Sequence, residues 1–595
     1  MRVILKNLII VILVLSVTAR TSFAQKTDKP GNVHMDQKKI VIYQLLPRLF
    51  GNTGTANVPY GTIVQNGSGK FDDINNKALT GIKELGVNYV WYTGVIAHAS
   101  LTDYSAFGIQ PDDADVVKGR AGSPYAIRDY YDVDPDLAKD VKNRMKEFEA
   151  LVERTHQQGL KAIIDFVPNH VARRYHSHAK PTGAIDFGAY DDVRRAFSAA
   201  NDFYYIPGQA LVVPASEDTI TTALSPLMDH KFKEDPAKAT GNNVFSASPK
   251  SDDWYETVKL NYGVDYQNGM KAHFSPLPPV WTKMRAILLY WAAKGVDGFR
   301  CDMAEMVPVA FWSWVIPEVK KVYPQIVFIG EAYDPKTYET YFNEGKFDYL
   351  YDKVGLYDGL KKLVRNESSA DVSVIPAARI LGNAAYENRM LRFLENHDEE
   401  RIASAGFAGQ PEYALPAMVV SATLSGGPVM LYFGQEVGEP GKGKEGFGGD
   451  DNRTTIFDYW GVPEHQKWMN QGAFDGGLLN AEQVKLRAFY QKLMQISTGS
   501  EAISKGGFCE VRLNGNGNNR MYGYIRYTDK QRLLVLVNFD RMQSLETRID
   551  IPQDMLNKKP VLSAKDLLSG QVVAPVSGNS IQVKVGPVSA QIIEF

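Results

Sequence analysis

The chain has 595 residues, 44% of them hydrophobic and 23% charged, with 66 basic against 68 acidic side chains and a formal net charge of −2. That length implies two or three domains, and the composition is that of a soluble globular protein. There is no basic field for nucleic acid and no basic amphipathic run for a membrane surface, so a neutral ligand such as a sugar fits better.

Arg2 and Lys6 precede an apolar run from Leu8 to Val17 that only Ser16 interrupts. Ser22-Phe23-Ala24 then places small residues where a signal peptidase reads them. Residues 1–24 are read as a signal peptide cut after Ala24, which makes the mature protein secreted or periplasmic and leaves no membrane span after cleavage. The two cysteines, Cys301 and Cys509, fall in segments assigned to different domains, so no disulfide framework is expected.

From there one grammar repeats: an amphipathic helix, a glycine, then a short apolar strand. The first strand is Ile40 to Leu46. Leu79, Ile82 and Leu85 keep helical spacing before Gly86 and a strand at Val87 to Thr93. Met145, Phe148, Leu151 and Val152 do the same before Gly159 and Leu160 to Val167. Met284, Ile287, Leu288 and Trp291 precede Gly295 and the strand Gly298 to Met303. Val327 to Glu331, Phe347 to Tyr351, Met390 to Leu394 and Val429 to Phe433 complete the set. Strands apolar on both faces that alternate with helices imply a parallel sheet, and eight of them suffice for a closed barrel.

The excess length sits at residues 171–279, rich in Pro, Gly, Asp and Tyr and without a sustained helical period. Beyond about residue 498 the pattern becomes short alternating or apolar runs, such as Met521 to Tyr527 and Leu533 to Asn538, separated by turn residues. The expected architecture is an α/β chain: a (β/α)8 TIM barrel over residues 25–170 and 280–497, an inserted subdomain after the third strand over 171–279, and a C-terminal all-β sandwich over 498–595.

In such a barrel, chemistry sits where strands end at the C-terminal face. Four strand ends carry polar clusters: Asp165-Phe166-Val167-Pro168-Asn169-His170, Gly298-Phe299-Arg300-Cys301-Asp302, Gly330-Glu331, and Glu395-Asn396-His397-Asp398 with Arg401 beyond. Singly, each is explained by a helix cap or a structural ion pair; Arg300 and Asp302 share one strand face because side chains alternate with period two. Together, three carboxylates from three strand ends converge on one rim. That is the equipment of glycoside hydrolysis, which needs a nucleophile or base and an acid about an oxocarbenium-like transition state.

At these four motifs, in this order, the sequence resembles the α-amylase family of glycoside hydrolases over essentially the whole mature chain. Val41-Ile42-Tyr43-Gln44, Lys259-Leu260-Asn261 and Gly434-Gln435-Glu436 resemble further family segments. The resemblance implies that Asp302 is the nucleophile, Glu331 the general acid/base and Asp398 the carboxylate that stabilises the transition state. It assigns His170, Arg300 and His397 to the reacting sugar. Tyr125, within Ser123-Pro124-Tyr125-Ala126-Ile127-Arg128-Asp129-Tyr130, is similar to the tyrosine on which that sugar stacks.

The function expected is a secreted retaining α-glycosidase acting on α-1,4-glucosidic bonds of starch-derived glucans or maltooligosaccharides by double displacement, with Arg300 keeping Asp302 ionised and a less polar setting keeping Glu331 protonated. A glucan glycosyltransferase or a sugar isomerase on the same scaffold is the alternative; a non-catalytic barrel would be expected to lose a triad carboxylate. The chemistry requires no cofactor. The resemblance leaves a structural Ca2+ open, with Asn169 at a ligand position, while His170, His176 and His178 lack the further ligands a zinc site needs. One departure stands out: where many α-amylases carry Lys and His three and four residues after the nucleophile, this chain has Glu305 and Met306. If these side chains face the leaving chain, its hydrogen bonding weakens and short maltooligosaccharides are favoured over starch; if they point away, nothing changes.

Overall fold

The computed structural model describes residues 38–595 apart from 216–223, 381–383, 512, 514–518, 557–562, 574 and 578, so the leader read at residues 1–24 lies outside the described residues. An eight-stranded sheet forms the centre. Its strands are β1 (Val41–Leu45), β2 (Tyr89–Tyr92), β3 (Lys161–Phe166), β4 (Gly298–Cys301), β5 (Val327–Gly330), β6 (Tyr349–Tyr351), β7 (Met390–Leu391) and β8 (Val429–Tyr432). Every pairing is parallel, and the order runs β7-β6-β5-β4-β3-β2-β1-β8. Arg392 closes the ring: its N–H donates to the Pro428 carbonyl and its carbonyl accepts from Met430 N–H, both at 2.9 Å.

All residues of β1, β2, β4 and β8 are buried, which is why they read as unbroken apolar runs. A helix follows each strand: α1 (Asn76–Glu84), α2 (Arg144–Gln157), α3 (Pro279–Ala293), α4 (Val309–Val322), α5 (Tyr338–Asn343), α6 (Asp358–Val364), α7 (Leu415–Thr423) and α8 (Ala481–Gly499). Gly86, Gly159 and Gly295 take φ of +92°, +70° and +91°, the left-handed turn that ends α1, α2 and α3 and sends the chain into the next strand. The expected strand Met390 to Leu394 is shorter. Beyond Leu391, Arg392 keeps a bridge to Val429 while its side chain turns to Asp352 and Ser425, and the chain then leaves the ladder.

Between β3 and α3 the described residues form strands of just two or three residues. His170–Ala172 pairs antiparallel with Thr257–Lys259, Tyr205–Ile206 with Ala237–Lys238, and Val264–Asp265 with Lys271–Ala272. Carboxylates bonded to backbone do much of the remaining work there: Asp191 accepts from Asp202 and Phe203 N–H, and Asp115 from Asp229, His230 and Phe232 N–H.

The C-terminal part is two sheets. Strands β9 (Gly507–Glu510), β10 (Met521–Tyr527), β11 (Arg532–Asn538), β13 (Ala564–Asp566), β14 (Val572–Val573) and β17 (Ser589–Glu594) form the first. Strands β12 (Leu545–Asp550), β15 (Pro575–Ser577) and β16 (Ser580–Val585) form the second. Leu534 and Leu536 of β11 pack with Ile549, Ile581 and Val583 between the sheets, while Leu533, Val535 and Val537 join the barrel core. β11 is therefore buried on both faces, whereas β12 alternates buried and exposed residues as an outer strand should. Among the described residues no helix is long and apolar enough to cross a membrane.

Candidate active site

β4 delivers Arg300 and, just past its end, Asp302. Register places Arg300 directly opposite Asp165 of β3 and Ile329 of β5, so its guanidinium enters the barrel mouth rather than solvent. Fully buried, it lies 2.8 Å from Asp302 Oδ1 and 3.3 Å from Asp165 Oδ1, and Nε donates to Tyr351 Oη at 3.2 Å. Its Nη2 is 2.6 Å from Glu331 Oε1, an ion pair off the hydrogen-bond line. The rings of Trp91, Tyr125 and Tyr351 surround the cation at 5.3–5.7 Å.

One cation thus serves three carboxylates, which alters the expectation that Arg300 simply keeps Asp302 ionised. Burial pushes Asp302 well above the usual carboxylate range; Arg300 opposes this, and Glu331 and Asp165 reinforce it. Oδ1 of Asp302 is spent on Arg300, while Oδ2, buried at the cleft, has no protein partner.

Glu331 follows β5 and is held on both oxygens. Met303 N–H donates to Oε2 at 2.7 Å, and Tyr333 Oη donates to Oε1 at 2.6 Å. Met303 reaches it because the residue after Asp302 takes φ +44°, a strained conformation for a non-glycine residue. The setting of Glu331 is therefore more polar than the sequence reading expected. Glu305 supports it from behind: its carboxylate accepts from Tyr333 N–H at 2.7 Å, from Asp334 N–H at 3.1 Å and from the Thr337 hydroxyl. Met306 packs its sulfur against Asn169 Nδ2. Neither residue is among those lining the cleft around Asp302; Glu305 is engaged by the loop behind Glu331, and Met306 by Asn169.

Asp398 follows β7 beside His397, whose Nε2 is 2.9 Å from Asp398 Oδ2 and 2.5 Å from Tyr125 Oη. Gln44 Nε2 lies 2.7 Å from His397 Nδ1 and holds the ring with its Nε2 toward Asp398. Burial pushes Asp398 up, but the His397 ring, with help from Arg300 and Arg453, brings it below the usual carboxylate range. Tyr125 stacks on His397 with centroids 5.2 Å apart.

His170 accepts from Asn169 Nδ2 at 3.0 Å and packs on Trp254, while His176 and His178 meet each other instead. Burial, with Lys259 and Lys118 nearby, lowers His170 to about 3, so the ring is neutral. Asn169 is engaged by protein partners. Its Oδ1 accepts from the buried Lys259 ammonium, which also donates to the Met306 carbonyl at 3.0 Å. Burial lowers Lys259 to about 7, and its Nζ already takes the oxygen that Ca2+ would use, so Asn169 as placed does not fit as its ligand. Among the described residues, Asp113, Asp115 and Asp229 alone form a compact group of possible metal ligands, but Asp115 gives both oxygens to backbone N–H groups.

Asp302, Glu331 and Asp398 line one cleft of about 170 Å3 together with Tyr125 and His170, whereas Arg300 and His397 stand behind it. The cleft also exposes groups that sequence reasoning missed: Lys118, Trp254, Glu256 and Phe457. They come from three segments far apart in the chain, at residues 118, 254–256 and 457, and no spacing in the sequence connects those segments.

A family model for the alpha-amylase catalytic domain matches residues 44–471, more than half of the chain. The sequence is 22% identical to Alpha-amylase 3 of Dictyoglomus thermophilum, over 71% of this chain and 75% of that protein. It is 21% identical to Neopullulanase 2 of Thermoactinomyces vulgaris, over 87% of this chain and 72% of that one. The fold is similar to a crystal structure of a noncanonic maltogenic alpha-amylase from Thermotoga neapolitana, with TM-score 0.56 and 19% identity, covering 93% of this chain and 98% of that one.

Proposed function

Because the chain belongs to the alpha-amylase family of glycoside hydrolases, we propose that it hydrolyses α-1,4-glucosidic bonds of starch-derived glucans or maltooligosaccharides with retention of configuration. The observation that carries this is the asymmetry of Asp302: one oxygen is pinned by Arg300 and the other is unpartnered in a cleft shared with Glu331 and Asp398.

In this reading Asp302 Oδ2 attacks the anomeric carbon while Glu331 passes a proton to the departing glycosidic oxygen. Two carboxylates on one guanidinium hold a single proton more readily than two, and a nucleophile–acid pair needs one ionised and one protonated member. Glu331 then takes a proton from water, which attacks the glycosyl ester and releases Asp302. Asp398, kept ionised by His397, offers its cleft-facing oxygen to sugar hydroxyls and to the positive charge of the transition state. Tyr125 and His170 border the same sugar. The names of the relatives support α-glucans as the substrate class. Export after cleavage at Ala24 belongs to the same proposal, and an intact Met1 on exported protein would contradict it.

Proton NMR of the first turnovers on maltoheptaose tests the reading. The α-anomer should appear first and mutarotate afterwards; initial β-anomer, or no hydrolysis of any α-glucan, would overturn it.

A further inference from the structure

The cleft contains a second unmet acceptor. Among its described lining residues, just two buried side-chain oxygens have no protein partner: Asp302 Oδ2 and Glu256 Oε2. Glu256 is 4% exposed, and its other oxygen, Oε1, lies 2.8 Å from Lys118 Nζ. A buried carboxylate oxygen without a donor is costly, and Glu256, which also acts through space on the buried Arg173, lines the cleft.

Chemistry narrows the ligand. The ammonium has three donors and one is engaged by Oε1; the carboxylate is an acceptor with one oxygen to spare. A donor and an acceptor side by side match neighbouring sugar hydroxyls, each of which both donates and accepts. Trp254 and Phe457 bring two rings to the same wall, with Lys118 Nζ 5.7 Å from the Phe457 ring centroid. Trp254 sits at φ +47°, a strained conformation for a bulky residue. The wall is tied down: the Phe457 carbonyl accepts from Ala121 and Gly122 N–H at 3.0 and 3.1 Å, and Glu256 leads into the strand that pairs with His170–Ala172.

Topology fixes the direction. Lys118 belongs to the connection after β2, Glu256 to the one after β3 and Phe457 to the one after β8, which together bracket β1. Glu331 follows β5, opposite β1 in an eight-stranded ring. The leaving group departs on the side of the acid that protonates it, so the wall bounds the other side, where the non-reducing end of the substrate lies.

We propose that Lys118 and Glu256 form a hydroxyl-binding clasp that ends the donor side of the cleft, so that the enzyme engages the non-reducing terminus of an α-glucan and releases short sugars from that end. The proposal rests on the assignment of Asp302 and Glu331. An enzyme that cuts internally must let the chain pass on both sides; in this proposal the Lys118–Glu256 pair, which joins two connections, stands in that path.

The test compares maltoheptaose with the same sugar capped by a 4,6-O-ethylidene group at its non-reducing end. The wild type should cut the capped sugar at least about 100-fold more slowly. Glu256→Gln, nearly isosteric, should raise KM for uncapped maltoheptaose about tenfold and change kcat much less. Lys118→Ala with Glu256→Ala should bring the capped rate within about tenfold of the uncapped one. Equal wild-type rates on both sugars, or an unchanged KM in Glu256→Gln, would overturn the clasp. Hydrolysis of neither sugar by the wild type would instead overturn the parent reading of Asp302 and Glu331, and the clasp with it.

Discussion

Asp302 gives one carboxylate oxygen to Arg300 and keeps the other for the cleft: Oδ1 lies 2.8 Å from Nη1, and Oδ2 has no protein partner. Asp302→Asn preserves the shape and removes the nucleophilic oxygen. We expect kcat/KM on maltoheptaose to fall by about 10⁴ or more while the thermal midpoint stays near that of the wild type. Activity within tenfold of the wild type would contradict the assignment.

Arg300→Leu should behave differently. It leaves Asp165, Asp302 and Glu331 buried without their common cation. Breaking a buried pair from one side costs about 3–5 kcal/mol, so the thermal midpoint should drop by several degrees along with activity. Calorimetry of both variants separates the two cases.

Glu305→Ala removes the acceptor that fixes Tyr333, Asp334 and Thr337 behind Glu331. A loop displaced by about 1 Å is enough to lose about 10²-fold in rate. We expect kcat to fall about 10- to 100-fold on starch and on maltoheptaose alike, with their ratio unchanged. A ratio that shifts toward starch would mean that Glu305 touches the leaving chain after all.

Acid sensitivity is expected from His465, packed against Phe50, Phe433 and Trp468. Burial lowers it from 6.5 to about 3, against the bond to the Phe50 carbonyl and with Arg401 and Arg487 adding to the effect. Between those values the unfolded chain binds a proton that the folded one refuses. The stability due to this group is therefore complete above about 6.5 and is lost as pH falls toward 3, by at most about 1.4 kcal/mol per pH unit. Denaturant unfolding between pH 4 and 7 should show a shallower pH slope for His465→Asn; parallel curves would contradict this.

The barrel was legible because its strands are buried on both faces: Val41–Leu45 and Val429–Tyr432 read as apolar runs, each with a glycine-ended helix or polar cluster as punctuation. The carboxylates were legible because strand ends concentrate chemistry. What stayed hidden depends on register and long-range closure. Asp165 stands beside Arg300 only because β3 and β4 pair as they do. Glu305 reads in the sequence as a possible change in substrate contacts, and its carboxylate is taken up by Tyr333, Asp334 and Thr337, partners that no spacing in the sequence announces. The inserted segment gave no periodicity because its strands are two or three residues long.

The most direct test of the central claim is to trap the glycosyl–enzyme ester. A 5-fluoro-α-glucosyl or 4-deoxymaltosyl fluoride reagent would be incubated with the wild type and with Glu331→Gln, which leaves the ester long-lived by removing the base for water. Peptide mass spectrometry should place the sugar on Asp302. An adduct on Glu331 or Asp398 in the wild type, or turnover without any adduct in Glu331→Gln, would contradict the account.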